Sequence, residues 1–187
     1  MRKVFLFDMI SLDGFFEGPD RDINWHLVDD EFNEFAIEQL AEVDLLLFGR
    51  ITYELMAGYW PTEQAVVDDT VVAGMMNATS KIVFSTTMDK ADWQNTRLVK
   101  KDAAIEVAKV KKEPGKDIAI FGSSDLAVTL LQEGLIDELR IIVNPVLLGN
   151  GKTLFSGLAE KVDLNLLKTR VFRSGNVLLY YQPVVQI

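Results

Sequence analysis

The chain lacks the residue types on which several kinds of functional site depend. It contains no cysteine, so it forms neither disulfides nor thiolate sites. With only one histidine, His26, we expect neither a His-rich metal centre nor a Ser-His-Asp triad, and we predict no bound metal. An anionic ligand would have to be held by backbone N–H groups and by a few arginine, serine and threonine side chains.

Positive charge and long apolar runs are also scarce. The chain has 19 Lys and Arg against 28 Asp and Glu, a net charge of −9, which argues against nucleic-acid and anionic-membrane partners. No apolar run approaches the length of a membrane span. The apolar start at residues 1–7 is similar to that of a signal peptide, but Asp8 interrupts it too early. We therefore expect a cytoplasmic protein.

The composition of the chain is that of an ordinary globular protein, with 49% hydrophobic residues. Its 187 residues are enough for one domain, and we predict a single domain over residues 1–187. Apolar runs predict strands at residues 3–9, 44–48, 81–87, 96–99, 117–121 and 136–143. Helical spacing predicts helices at residues 30–42, 50–59, 66–76, 102–112 and 125–133. Residues 166–172 and 177–181 flank a turn and predict a hairpin. The order predicts an α/β fold with a mostly parallel central sheet, flanking helices and a C-terminal antiparallel hairpin.

One stretch, residues 117–131, combines a buried strand, a turn of small residues and a helix. The turn is Gly122-Ser123-Ser124. A strand that turns directly into a helix presents free backbone N–H groups, and with the helix dipole these favour an anion such as phosphate. The alternative is a plain strand-turn-helix in which Ser123 or Ser124 caps the helix.

A second turn of this kind follows residues 44–48. Gly49-Arg50 opens a helix and adds a positive charge, although Arg50 could also be a solvated surface residue. Ser85 and Thr86 end a third predicted strand, where hydroxyls could hold a nucleotide or simply form a turn. Ligands in such sheets bind at the carboxyl ends of the strands, so we expect a shared anionic ligand there.

Two segments near the N-terminus leave alternatives open. Asp29 or Asp30 is a natural cap for the first helix, or one of them faces a cleft beside Trp25 and hydrogen-bonds a substrate. The loop at residues 11–19 carries Phe15 and Phe16. These phenylalanines either cover a ligand or pack into the core as part of a hairpin.

Together these residues resemble the dihydrofolate reductase superfamily. The likeness is greatest to the reductase domain of bifunctional riboflavin-biosynthesis proteins, the RibD C-terminal domain, and to its stand-alone relatives. It runs nearly end to end and rests on an ordered set of short motifs. These are Ser11-Leu-Asp-Gly14, Phe48-Gly49-Arg50-Ile51-Thr52-Tyr53-Glu54, Ile82-Val-Phe-Ser85-Thr86-Thr87, Phe121-Gly122-Ser123-Ser124 and Asn144-Pro145-Val-Leu-Leu-Gly149-Asn-Gly151.

The resemblance implies NADPH as cofactor and assigns roles to individual positions. Residues 12–16, including Leu12 and Gly14, would cover the nicotinamide. The segment Trp25-His26-Leu27-Val-Asp-Asp30 is similar to the family's Trp-x-Leu-x-x-Asp, which would make Asp30 the substrate carboxylate. Dihydrofolate reductases carry consecutive glycines where this chain has Gly122-Ser123. The cofactor positions would be Gly49, Arg50 and Thr52 at the phosphates, Ser85 and Thr86 at the adenosine, and Gly122, Ser123 and Ser124 at the pyrophosphate.

The resemblance therefore implies an NADPH-dependent reductase of a planar heterocycle, most like the 5-amino-6-(5-phosphoribosylamino)uracil reductase of riboflavin biosynthesis. The alternatives are a dihydrofolate reductase proper and a non-catalytic nucleotide-binding dimer.

The final hairpin adds a reason to expect a homodimer. It carries large apolar residues on both faces, and an exposed apolar face is unusual in a soluble monomer. The alternative is that a helix of the same chain covers the second face. The residues concerned are Leu164, Leu166, Leu167, Val171, Phe172, Val177, Leu178, Leu179, Tyr180 and Tyr181, with Val146, Leu147 and Leu148 in a neighbouring loop.

Overall fold

A computed structural model describes residues 1–184 of the protein as ten strands and six helices, with a short 3-10 turn at Pro19–Arg21. The strands are β1 Val4–Ser11, β2 Phe15–Glu17, β3 Val43–Gly49, β4 Ser80–Phe84, β5 Thr96–Val99, β6 Asp117–Phe121, β7 Glu138–Asn144, β8 Lys152–Thr153, β9 Leu164–Val171 and β10 Val177–Pro183. The helices are α1 Asp30–Ala41, α2 Arg50–Tyr59, α3 Glu63–Asp68, α4 Thr70–Ala78, α5 Ala103–Val110 and α6 Ser124–Gln132.

Eight strands form one sheet in the order β5-β4-β3-β6-β1-β7-β10-β9. The first six run parallel, whereas β10 is antiparallel to both β7 and β9. The prediction of a mostly parallel sheet with a C-terminal antiparallel hairpin is confirmed. Because β3, β6 and β1 are neighbours and run parallel, the turns that follow them lie at the same edge of the sheet.

Both faces of the central strands are buried, which explains why these strands are continuous apolar runs. Leu47 and Ile120 pack with Leu130 of α6 on one face. Leu46 and Phe48 pack with helical side chains that include Tyr53 and Met76 on the other face. The two layers hold the ends of the central strands in a fixed position.

The prediction of one helix over residues 66–76 is wrong. The structure has two helices, α3 and α4, separated at Asp69, whose backbone is extended. The Asp69 carboxylate accepts the N–H groups of Val71 and Val72 and so caps α4. A side chain that satisfies two free N–H groups stabilises a new helix start more than it would a continuous helix.

The predicted strand at residues 81–87 is also too long, because β4 ends at Phe84. The Ser85 hydroxyl accepts the N–H groups of Thr87 and Met88 at 3.2 and 3.1 Å and so forms a turn. For the loop after β1, the structure favours the alternative in which its phenylalanines pack into the core as part of a hairpin. Phe16 lies in β2, which pairs with β8, and contacts the core.

No helix within residues 1–184 has both the length and the apolar character needed to cross a bilayer. The same part of the chain contains no group of three or more His, Asp or Glu side chains arranged as a metal site.

Candidate functional site

Three turns that the sequence singled out lie side by side at the carboxyl edge of the sheet. Gly49 is paired with Phe84, which places Ser85 next to the start of α2. Leu47 is paired with Ile120, so the turn after β6 lies on the other side of Gly49. The structure thus brings together Gly49, Arg50, Thr52, Ser85, Thr86, Gly122, Ser123 and Ser124.

The turns after β3 and β6 are locked to each other. Gly49 donates its backbone N–H to the Ser123 hydroxyl at 2.8 Å. Gly122 has a φ of +61°, and a Cβ at this position would lie 3.2 Å from the Thr52 methyl group. Thr52 therefore packs against the turn, and glycine at position 122 allows both the left-handed backbone and the close approach.

Ser123 does not cap α6 in the way that the sequence suggested. It occupies the N-cap position in a left-handed conformation, with φ 67° and ψ 61°, and its side chain makes no capping hydrogen bond. Its hydroxyl accepts from Gly49 instead. Ser124 is buried, and its hydroxyl reaches only Asp125, at 3.4 Å. The first-turn N–H groups of α6 are therefore not capped by either serine.

Arg50 is the basic residue at this edge, at the first position of α2. Its guanidinium lies 3.0 Å from the Glu54 carboxylate, one helical turn away, with the Arg50 side chain 42% exposed. An exposed pair of this kind contributes little to stability, so the pair does not fix Arg50 strongly. Arg50 can therefore turn to an anion at the neighbouring helix starts.

Strands β1 and β7 run on beyond the end of β6. The last pair between β1 and β6 is Phe7 with Phe121, whereas the last pair between β1 and β7 is Ser11 with Asn144. Four further residues, 8–11, therefore extend about 13 Å past the turn at Gly122. They form a wall beside that turn, which we call the β1 step.

The loop after the β1 step is tied to the loop after β7. Leu12 donates its N–H to the Val146 carbonyl at 2.8 Å, and its side chain is exposed. The Asp13 carboxylate accepts the N–H groups of Leu148 and Gly149. The Ser11 hydroxyl and these N–H groups hold the pKa of Asp13 below its usual range. The predicted nicotinamide-covering loop is thus fixed by a carboxylate that sequence reasoning did not select.

Gly14 completes this loop. Its φ of +90° lies in the left-handed region, and a Cβ at this position would contact nothing within 4 Å. Its N–H donates to the Ser11 carbonyl at 2.9 Å and closes a tight turn. Glycine is therefore required here for backbone conformation rather than for space.

Asp8 lies in the β1 step and is buried, with 7% exposure. The Phe7 carbonyl accepts the Gly122 N–H, so the backbone of Phe7 faces β6. The backbone of Met9, two residues further along β1, faces the same direction, but β6 has already ended at this level. Asp8 Oδ1 accepts the Met9 N–H at 2.8 Å. Asp8 Oδ2 has no hydrogen-bond partner among residues 1–184.

The environment of Asp8 favours its neutral form. Burial raises the pKa of Asp8 to about 7, against the lowering effect of the Met9 N–H, and the nearby Glu17 charge adds to the rise. The sequence carried one signal for this site, a charged residue inside an otherwise apolar strand.

The segment at residues 22–29 is attached to the sheet through the backbone of Leu27. Its N–H donates to Asn144 Oδ1 at 3.0 Å, and its carbonyl accepts from Asn176 Nδ2 at 2.9 Å. Both asparagines have 0% exposure. Asn176 Oδ1 has no partner in the described part of the chain. We call this arrangement the Leu27 clamp.

The Leu27 clamp positions Trp25 and His26 next to the β1–β7 edge. Their rings meet edge to face at 4.4 Å between centroids, and the Trp25 indole donates to the Asp22 carbonyl at 3.0 Å. Burial lowers the pKa of His26 to about 4. His26 is therefore neutral near neutral pH, and its Nε2 has no partner within residues 1–184.

Asp29 and Asp30 have different environments. Asp29 is the cap of α1, since its carboxylate accepts the Phe32 N–H at 2.9 Å. Asp30 is the first helical residue and is exposed, and it lines an open depression of about 380 Å³ that also includes Arg173. The cap role therefore falls to Asp29 and leaves the Asp30 carboxylate available.

The strand order, the C-terminal hairpin and the paired helix starts at the carboxyl edge define a dihydrofolate reductase-like α/β fold. Within this class, the chain belongs to the RibD C-terminal domain family, which matches residues 2–178.

Three proteins illustrate the likeness. The uncharacterized protein YyaP of Bacillus subtilis (strain 168) is 34% identical over 182 residues, 96% of this chain and 94% of YyaP. The diaminohydroxyphosphoribosylaminopyrimidine deaminase/5-amino-6-(5-phosphoribosylamino)uracil reductase of Thermotoga maritima superposes with a TM-score of 0.70 at 16% identity, over 98% of this chain and 57% of that one. Dihydrofolate reductase of Enterococcus faecalis, solved with NADP(H), superposes with a TM-score of 0.63 at 16% identity. The superposition covers 97% of this chain and 96% of that one.

Proposed function

We propose that the protein is an NADPH-dependent reductase that transfers hydride to a C=N or C=O bond of a planar heterocycle or of its ribosyl derivative. The observation that carries the proposal is the pair of locked turns at Gly49 and Gly122. They place the starts of two helices next to each other, with Arg50 on one of them. Two adjacent helix N-termini and a guanidinium suit the two phosphates of a dinucleotide.

The residues of this edge fit such a cofactor along its length. The first-turn N–H groups of α6, beside Gly122, would hold the pyrophosphate. Ser85 and the exposed Thr86 would meet the adenosine end. The β1 step, from Asp8 to the loop at Leu12 and Gly14, would accommodate the nicotinamide, which supplies the hydride when bound.

The substrate would lie between the β1 step and α1. The Leu27 clamp holds Trp25 at this place, where its ring can stack on a flat heterocycle. The Asp30 carboxylate would orient the ring by hydrogen bonding or assist its protonation through water. The activity by which the Thermotoga maritima protein is named, 5-amino-6-(5-phosphoribosylamino)uracil reductase, supports a ribosylated pyrimidine as the class of substrate.

The experiment is calorimetric titration with NADPH and NADH, followed by a turnover screen of pterin and pyrimidine substrates. We expect NADPH to bind, and more weakly as the salt concentration rises, because the phosphate contacts are ionic. The absence of NADPH binding at high-micromolar concentration would reject the reductase. Tight NADPH binding with no turnover of either substrate class would favour a non-catalytic nucleotide-binding protein.

We also propose that the protein is a homodimer joined through β9. Leu166, Leu167 and Val171 on this edge strand are 55%, 50% and 69% exposed, an apolar surface that a symmetric copy would bury. Light scattering at micromolar protein concentration is expected to give a molar mass of twice the 21.0 kDa of one chain. The variant Leu166→Ser/Val171→Ser should shift the mass to that of one chain. A concentration-independent mass near one chain for the unaltered protein would exclude the dimer.

A further inference from the structure

Asp8 has a buried carboxyl group that is only half satisfied by the protein. The residue is 7% exposed, and its Oδ1 accepts the Met9 N–H at 2.8 Å. Its Oδ2 has no hydrogen-bond partner within residues 1–184. Buried polar atoms in folded proteins are nearly always hydrogen-bonded, so an oxygen of this kind calls for a ligand or an ordered water.

Asp8 lies at the level of the sheet where β6 has just ended. The last pair between β1 and β6 is Phe7 with Phe121. The next residue after β6 is Gly122, which has no side chain, and α6 begins at Ser124. Asp8 is therefore the first residue of β1 that lies beside the turn into α6 rather than beside a strand.

The carboxyl group turns toward the edge of β1 that β6 has left open. The N–H and C=O groups of one residue in a parallel strand face the same neighbour, and every second residue repeats that direction. Because the Phe7 carbonyl meets the Gly122 N–H, the Met9 N–H points to the side from which β6 is missing. Asp8 Oδ1 accepts this N–H in place of a strand partner. The carboxyl group thus lies at the open edge.

The side chain of Asp8 starts from the α6 face of the sheet. Leu6 and Ile10, two residues away on either side, pack into the core that contains Leu126 of α6. Ile141 of β7, the residue paired with Asp8, belongs to the same core. Asp8 therefore shares its face of the sheet with the helix start that we assign to the pyrophosphate.

The elements around Asp8 offer its free oxygen no cation. Burial raises the pKa of Asp8 to about 7, and the charge of Glu17 on β2 adds to the rise. Lys152 of β8 pairs with Asp125 of α6 at 2.9 Å. The pair of Arg140 with Glu138 lies on the opposite face, where Arg140 contacts α1. A positively charged ligand group would therefore be a strong partner for the carboxylate form of Asp8.

The nicotinamide end of the proposed cofactor has such a group in one of its two oxidation states. The ring is uncharged in NADPH and carries one positive charge in NADP⁺. An opposite charge within about 4–6 Å lowers the pKa of a carboxyl group by about 1 to 3 pH units. The neutral ring has no such effect, so a carboxyl group beside the ring distinguishes the two forms.

We propose that Asp8 contacts the nicotinamide ring of the cofactor and makes the preference between NADP⁺ and NADPH depend on pH. The inference rests on the proposed reductase function and adds one residue to its cofactor site. Ionised Asp8 attracts the positively charged ring. NADP⁺ therefore binds more tightly relative to NADPH as pH rises, and the preference shifts back toward NADPH as pH falls.

The test is calorimetric titration of the protein with each nucleotide at about pH 6 and about pH 9. We expect the ratio of the dissociation constants, NADPH over NADP⁺, to rise about fivefold between these pH values if the ring lowers the pKa of Asp8 from about 7 to about 6. The 2′-phosphate also titrates, but it is present in both nucleotides and its effect cancels in the ratio. A ratio that stays constant or falls would overturn the proposal.

The variant Asp8→Asn tests whether this carboxyl group is the cause. Asparagine keeps the size of the side chain and an acceptor for the Met9 N–H, but it does not ionise. Its ratio should stay constant with pH, close to the value of the unaltered protein at about pH 6. The control Glu133→Gln removes an exposed carboxylate at the far end of α6 and should keep the full rise. A full rise in Asp8→Asn would overturn the assignment.

The same titrations, combined with the turnover screen, separate this inference from the reductase proposal. Binding of both nucleotides with a ratio that rises with pH, but with no substrate reduced, would reject the reductase and keep the role of Asp8. Turnover with a ratio that does not change would keep the reductase and overturn the role of Asp8. Binding of neither nucleotide would overturn both.

Discussion

The turns at Gly49 and Gly122, which we propose hold the cofactor, are joined by the hydrogen bond from Gly49 to Ser123. The region from the β1 step to the Leu27 clamp instead leaves buried polar groups unpaired. Within residues 1–184, four buried side-chain atoms have no partner, and three of them belong to Asp8, His26 and Asn176, outside these two turns. Each such atom costs about 1–3 kcal/mol of stability. We therefore expect the joined turns to change little when a ligand binds, and the unpaired groups to gain partners from a ligand or water.

The largest expected effect is the removal of the Asp8 carboxyl. The pKa of Asp8 in the folded protein is about 7, above the ordinary value of 3.8. Between these two pH values the folded protein keeps a proton that the unfolded chain has released. Stability therefore falls as pH rises from about 4 to about 7. Asp8→Asn should stabilise the protein on the order of 4 kcal/mol at about pH 8, and less toward pH 4.

Urea denaturation at about pH 5 and about pH 8 measures this difference. Glu133→Gln, at an exposed position, is the control and should change little at either pH. An equal gain for Asp8→Asn at both pH values would show that the buried charge is not the cause. A loss of turnover in the more stable variant would place Asp8 in the reaction.

The next effect concerns Arg50, at the start of α2 beside the turn at Gly49. Arg50→Ala should weaken NADPH binding by about 1–3 kcal/mol, the contribution of a charged hydrogen bond, and should weaken NADH less if Arg50 meets the 2′-phosphate. The matched variant Glu54→Ala frees Arg50 and should not weaken NADPH binding. Calorimetric titration of both nucleotides measures this, and equal losses for the two would contradict the 2′-phosphate contact.

A smaller effect is expected at Ser123, which joins the two turns. Ser123→Ala should cost about 1–2 kcal/mol because the Gly49 N–H loses its acceptor. Ser123→Gly loses the same hydrogen bond but relieves the left-handed strain, about 1 kcal/mol, and should be closer to the unaltered protein. Thermal unfolding compares the pair. A glycine variant no more stable than the alanine variant would argue against strain at this position.

The smallest effects separate Asp29 from Asp30. Asp29→Ala removes the cap of α1 and should cost about 1 kcal/mol. Asp30→Asn should leave the melting temperature nearly unchanged and lower turnover if this carboxylate orients the substrate. Normal activity of Asp30→Asn would remove the residue from the substrate site.

The fold was predictable because its signals are local. Strands buried on both faces appear as apolar runs, and the turns at Gly49 and Gly122 follow them directly. The break at Asp69 was missed because apolar residues continue on both sides of it. A single side chain that caps the second helix outweighs that continuity.

The turns at Gly49 and Gly122 were also predictable from the sequence, since each is one short motif; their role in cofactor binding stays a prediction. The region around Leu27 and Asp8 depends on contacts between distant parts of the chain. Leu27 meets Asn144 and Asn176, 117 and 149 residues away. The burial of Asp8 depends on the relative lengths of three strands. No local pattern encodes these relations.

The Leu27 clamp has a consequence for how this protein could change in evolution. Both asparagines hold backbone atoms of Leu27, so the attachment does not depend on the side chains that the segment carries. Trp25, His26 and Asp30 can therefore be exchanged while the segment stays docked at the same place. The sequence of this segment can therefore vary while its position on the sheet is kept. Such variation would let related proteins acquire new substrates without a new fold.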